Sequence, residues 1–189
     1  MKRIALLILG AVITLNIATA QNVTKNERNE HGVRIIDASM SMAYEDGKPY
    51  GLSLSYHEVS GVENYYLLLA IPEVSSAFNI LTDQQILFKT SEGNKCMGLA
   101  VADANVQVGA AAGRVIRSAA VMYVLSADSV ALMASEGIAK IRINYTVDGK
   151  ETFFDVETSE GNFTKYFKKA YKNISKTIPL PVDKDRSEF

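Results

Sequence analysis

Apolar and polar side chains alternate along much of the chain after residue 33, and a period of two marks strands with one wet face. Met40, Met42 and Tyr44 alternate with Ser39, Ser41 and Ala43, and Leu52, Leu54 and Tyr56 alternate with Ser53, Ser55 and His57. The connector EDGKPYG is turn chemistry, so these two strands are expected to pair as an antiparallel hairpin, with a register that Pro49 leaves open. Tyr65 to Ile71 (YYLLLAI) is continuously apolar between Gly61 and Pro72, which suits a central strand covered on both faces. Shorter strands are expected around Ile86 to Thr90 and Lys95 to Val101, joined by Ser91-Glu92-Gly93-Asn94. Residues 102 to 113, rich in alanine and glycine, fit a loop, a bulged strand or a short helix, and Val115 to Leu125 returns to a strand pattern.

The last third carries helical signals. Ser126 can cap a helix of about two turns with Asp128 in its first turn, and Gly137 can end it with positive φ. Ile138 to Val147 and Lys150 to Glu157 flank Asp148-Gly149, the pair that a two-residue type I′ turn prefers. That turn sets Val147 opposite Lys150, Ile143 opposite Phe154 and Arg142 opposite Asp155, so the last two are expected as cross-strand partners. Phe163, Tyr166, Phe167, Ala170 and Ile174 then recur at helical spacing, with Lys165, Lys168, Lys169 and Lys172 on the other side. The expected class is α+β: mostly antiparallel β-sheet, a curled sheet or a sandwich, with a short helix and a C-terminal amphipathic helix.

The first 20 residues change the picture. Lys2 and Arg3, the apolar run Ile4 to Ile17 and the small-x-small Ala18-Thr19-Ala20 read as a cleavable secretory signal peptide, shorter in its apolar part than the ~20 residues that span a bilayer. Residues 21–32 (QNVTKNERNEHG) read as a flexible leader, 33–178 as a single domain and 179–189 as an extended, charged tail. Cleavage leaves about 18 basic against 21 acidic side chains, a net charge near −3, which gives no electrostatic case for nucleic acid. About 169 residues suffice for one domain with a core. The expected location is periplasmic or secreted, with no transmembrane segment once residues 1–20 are removed.

Candidate chemistry is sparse. The single cysteine, Cys96, cannot form an internal disulfide and is read as a small core residue. His31 lies in the leader, and His57 shares a strand face with Ser53 and Ser55, about 6.5–7 Å from its neighbour, too far for direct proton transfer. Two scattered histidines and one cysteine supply no zinc spacing. Gly109-Ala110-Ala111-Ala112-Gly113-Arg114 lacks both the lysine-hydroxyl pair of a P-loop and the GxGxxG spacing, so it is read as a small-residue loop or bulge, with Arg114 and Arg117 solvated. Asn22, Asn144, Asn162 and Asn173 each begin an Asn-x-Ser/Thr triplet that carries no weight by itself. No catalytic, cofactor-binding or metal-binding residue is assigned, and no cofactor.

Tyr123 to Tyr145 (YVLSADSVALMASEGIAKIRINY), with Phe154-Asp155 and the helix ending Tyr171-Lys172-Asn173-Ile174, resembles small secreted proteins of unknown function from Bacteroidetes. The resemblance implies a cell-envelope protein and carries no activity or site residue with it. The expected function is that of a non-enzymatic domain binding an envelope ligand or protein through a sheet face or loop. The alternative is a hydrolase-like enzyme with a carboxylate site, for which two carboxyls about 5–10 Å apart in a cleft would speak.

Overall fold

A computed structural model describes residues 22–111, 114–158 and 161–180; the expected signal peptide, Ala112-Gly113 and residues 181–189 of the tail lie outside them. The strands are β1 (Val23–Arg28), β2 (Arg34–Ala38), β3 (Ser41–Glu45), β4 (Lys48–Val59), β5 (Val62–Pro72), β6 (Asn79–Ile80), β7 (Gln85–Thr90), β8 (Lys95–Ala100), β9 (Ala104–Asn105), β10 (Gln107–Ala111) and β11 (Arg114–Leu125). Helix α1 (Ala127–Glu136), β12 (Ile138–Val147), β13 (Lys150–Glu157) and α2 (Asn162–Thr177) follow. All thirteen strands among the described residues join one open, antiparallel sheet in the order β1-β2-β4-β5-β11-β8-β7-β12-β6-β9, with β3 on β4, β10 on β11 and β13 on β12. The fold is therefore α+β with one sheet, and the sandwich expectation falls.

Tight turns set the registers. Asp46-Gly47 and Asp148-Gly149 each have both φ values positive, as a type I′ turn requires, and place Glu45 opposite Lys48 and Val147 opposite Lys150. Counting outward from the second turn, Ile143 faces Phe154 and Arg142 faces Asp155, the register the sequence predicts. Strands β2 and β3 lie end to end along β4, with Asp37 opposite Ser55 and Ser41 opposite Leu52. In the gap between them the Leu54 amide donates instead to the Tyr166 hydroxyl, 2.7 Å away.

One core gathers the inward residues of every long strand and both helices, including Leu54, Leu67, Phe88, Val121, Ile141, Met133 and Phe167. The helix explains the sheet's shape. Tyr166 bonds to β4 while the Phe167 ring meets Phe88 of β7 at 6.1 Å between centroids. Those strands are four steps apart, about 19 Å on a flat sheet, whereas a helix is about 10–12 Å across. The sheet must curl around α2, and the helix fills its trough with Phe163, Tyr166, Phe167, Ala170 and Ile174.

Both ends of α2 are held by buried charges from the first long edge of the sheet. At the N-terminus Gly161 supplies no side-chain cap, and Glu45 Oε1 accepts from the Asn162 and Phe163 amides at 3.1 and 3.2 Å. At the C-terminus Arg34 donates to the carbonyls of Thr177, Ile178 and Leu180. An anion at the helix start and a cation at its end both interact favourably with the macrodipole.

Several expectations need correction. Residues 23–28 of the expected flexible leader form β1, anchored by buried Asn26, whose carbonyl oxygen accepts from Arg34. In β3 the inward face is Ala43 and Glu45 rather than Met42 and Tyr44, because Glu45 is drawn in to cap the helix. The start of the expected extended tail is a turn, closed by Leu180 N–H donating to the Thr177 carbonyl. Strand β5 is buried on one face only: Tyr65, Leu67, Leu69 and Ile71 face the core, whereas Tyr66 and Leu68 stand on the outside, which no helix among the described residues covers. Helix α1 has ten residues, nearer three turns than two, with Ser126 accepting from the Ser129 amide as expected.

Candidate functional site

At the end of the sheet where β5 stops, the β3–β4 turn, the chain after Pro72 and the β12–β13 pair enclose a hollow of about 330 Å³. That is at the lower end of the volumes that hold small ligands. Its apolar wall is aromatic. Phe78 stacks on Tyr145 at 4.7 Å between centroids, Phe154 meets Tyr145 edge-on at 5.7 Å, and Tyr50 closes the inner side. Tyr50 is inward-facing on β4 and packs against Phe163, so its ring is fixed by the helix.

The polar groups sit at the rim. Asp46 comes from the tight turn, and Glu73 follows β5 with φ of 55°, a left-handed conformation that costs a non-glycine residue on the order of 1 kcal/mol. Lys48 reaches Glu73 at 3.8 Å. Burial pushes the Tyr50 hydroxyl up to about 12, with the negative charges of Asp46, Glu45 and Glu73 adding to the effect, so this phenol stays protonated and can donate. The arrangement offers apolar ring faces inside, one phenol donor, one ammonium and two exposed carboxylates at the mouth. The alternating pattern pointed to the strands here but not to the site: what assembles Asp46, Lys48, Tyr50, Glu73, Phe78 and Tyr145 is the curl of the sheet, and the only local trace is the charged Asp-Gly-Lys turn.

Of the residues weighed from sequence, Asp155 also lines this hollow, where it is engaged by Arg142; the others lie elsewhere and are not brought together. Ser55 donates to Asp37 Oδ1 at 2.6 Å and Ser53 to the Ala38 carbonyl at 3.1 Å, so neither hydroxyl bonds to His57. The His57 ring lies 4.5 Å from Tyr66, and burial lowers its pKa. His31 is exposed, near Glu30. Cys96 is buried on the inward face of β8, and burial pushes its thiol up. Arg142 is clasped within its own hairpin: Nε and a terminal nitrogen reach the two Asp155 oxygens at 2.7 and 3.0 Å, and the guanidinium lies 3.9 Å over the Phe153 ring. Lys140 adds contacts to Asp155 and Glu157. The hollow beside them, about 210 Å³, is smaller than the aromatic one.

Gly109, Ala110 and Ala111 of the small-residue run belong to a strand, not a loop or helix, since β10 pairs with β11 from Gln107 opposite Ser118 to Ala111 opposite Arg114; Ala112-Gly113 lie outside the described residues. Among the described residues no three His, Cys, Asp or Glu side chains are placed to hold a metal ion, and no helix is long and apolar enough to cross a membrane. Comparison of the chain with protein-family models, with curated proteins and with solved structures finds no match.

Proposed function

We propose that this protein is an exported cell-envelope domain that binds a small ligand in the aromatic hollow without transforming it. The observation that carries the reading is the hollow's division into an aromatic interior and a charged rim, which suits a ligand with apolar ring faces and hydroxyl donors, such as a saccharide unit. The export part rests on Lys2, Arg3, the apolar run and Ala18-Thr19-Ala20, and the Bacteroidetes envelope setting rests on the resemblance of Tyr123 to Tyr145.

The hydrolase alternative draws on the same two carboxylates, Asp46 and Glu73. A glycosidase acid needs an apolar enclosure that keeps it protonated. These carboxylates stand in water at the rim, and Glu73 is held by Lys48, which favours recognition over acid catalysis. Aromatic-ring NMR of the protein titrated with short oligosaccharides tests the reading. Shifts confined to Tyr50, Phe78, Tyr145 and Phe154, lost in Tyr145→Ala, are expected; shifts elsewhere, or turnover of a saccharide that stops in Glu73→Gln, would refute it.

A further inference from the structure

From Ala104 to Ala127 the chain carries no aspartate or glutamate, and its only charged residues are Arg114 and Arg117. This stretch contains the β10–β11 hairpin. Strand β5 ends at Pro72, opposite Ser118, so Val108 to Ala111 and Arg114 to Arg117 pair only with each other and extend past β5 as a two-stranded ribbon. Three aliphatic side chains stand in water on it: Val108 is 66% exposed, Val115 65% and Ile116 41%. Arg117 is exposed on the face that carries Val108 and Val115, and Ile116 stands on the other face.

We propose that this hairpin docks on an anionic lipid surface, with Val108, Val115 and Ile116 entering the boundary between headgroups and acyl chains and Arg117 meeting lipid phosphates. Charge selects that occupant: an acid-free, arginine-bearing ribbon is attracted to anionic headgroups, in a chain whose overall balance is acidic. Shape agrees with it. The ribbon is a projection without an aromatic side chain, the commonest anchor at the centre of protein interfaces. The ribbon's outer edges carry unpaired amides and carbonyls, which keeps it in the hydrated headgroup zone and out of the hydrocarbon. Three aliphatic groups and one exposed arginine give weak, reversible attachment, and each cation near the surface is worth about fivefold.

Vesicle flotation tests this with the chain from Gln21 onward, which retains every described residue and lacks the apolar run Ile4 to Ile17. Vesicles of phosphatidylcholine and phosphatidylglycerol in equal parts are expected to carry the protein about tenfold better than phosphatidylcholine alone, and salt near 1 M, where the Debye length falls to ~3 Å, should abolish the difference. Val115→Glu should reduce attachment about tenfold without unfolding an exposed position. Val62→Glu, at an equally exposed valine at the far end of β5, should leave it unchanged. Absence of flotation, equal flotation with both vesicles, or an undiminished Val115→Glu would overturn the proposal. So would concentration-dependent dimers in sedimentation that Val115→Glu disperses, which would assign the ribbon to a second copy of the chain.

Discussion

The buried carboxylate at the start of α2 allows a sharp mutational test. Glu45 is fully buried, one oxygen accepts from two helix amides, and its Oε2 has no hydrogen-bond partner among the described residues. Two hydrogen bonds to a charged acceptor contribute about 1.5–3 kcal/mol each, and an unpartnered buried oxygen offsets about 1–3 kcal/mol of that. Glu45→Ala, which strands both amides and leaves a void, should therefore destabilise the protein by about 2–4 kcal/mol. Glu45→Gln keeps an acceptor where Oε1 stands and removes a buried charge while losing its attraction to the helix N-terminus, so its effect should stay within about 1 kcal/mol. Urea unfolding followed by far-ultraviolet circular dichroism at pH 7 separates the two, since a domain of this size has about 5–15 kcal/mol in total. An alanine variant within about 0.5 kcal/mol of the parent would refute the capping argument. A glutamine variant as unstable as the alanine one would show that charge, and not the acceptor, holds the helix.

Asp155 should titrate far below an ordinary aspartate, at about 2, because Arg142 and then Lys140 hydrogen-bond its charged form. Its folded value lies below the unfolded ~3.9, so its contribution is present above pH ~4 and is lost as pH falls toward ~2; for a partly solvated pair it amounts to no more than ~1 kcal/mol. Carboxyl NMR should show that low midpoint and its return toward ~4 in Arg142→Met, and a parent midpoint near ~4 would count against the clasp. Intact-mass measurement of the exported protein should give a chain beginning at Gln21, and a mass that retains Met1 to Ala20 would sink the signal-peptide reading.

Local chemistry was legible where two neighbouring signals agreed. Asp148-Gly149 between alternating strands determined the β12–β13 register residue by residue, and Leu52, Leu54 and Tyr56 turned inward as their alternation implies. Misreadings arose where a distant partner outweighed local pattern. Glu45 points inward because a helix 117 residues later needs its oxygen, and polar β1 is ordered because Arg34 needs Asn26. The apolar run of β5 looked doubly covered, but an open curled sheet has only one inside. The aromatic hollow was illegible for a similar reason: its walls come from strands far apart in sequence that only the curl brings face to face.

The grip of Arg34 and Glu45 on α2 also governs when the domain can close. Arg34 meets residues 143 to 146 positions further along, and the helix that fills the trough is the last element described. Contacts so remote in sequence form late and slowly. Until residue 180 has left the ribosome the trough has no filling and the chain remains open, which is the state in which the proposed export route would carry it across a membrane.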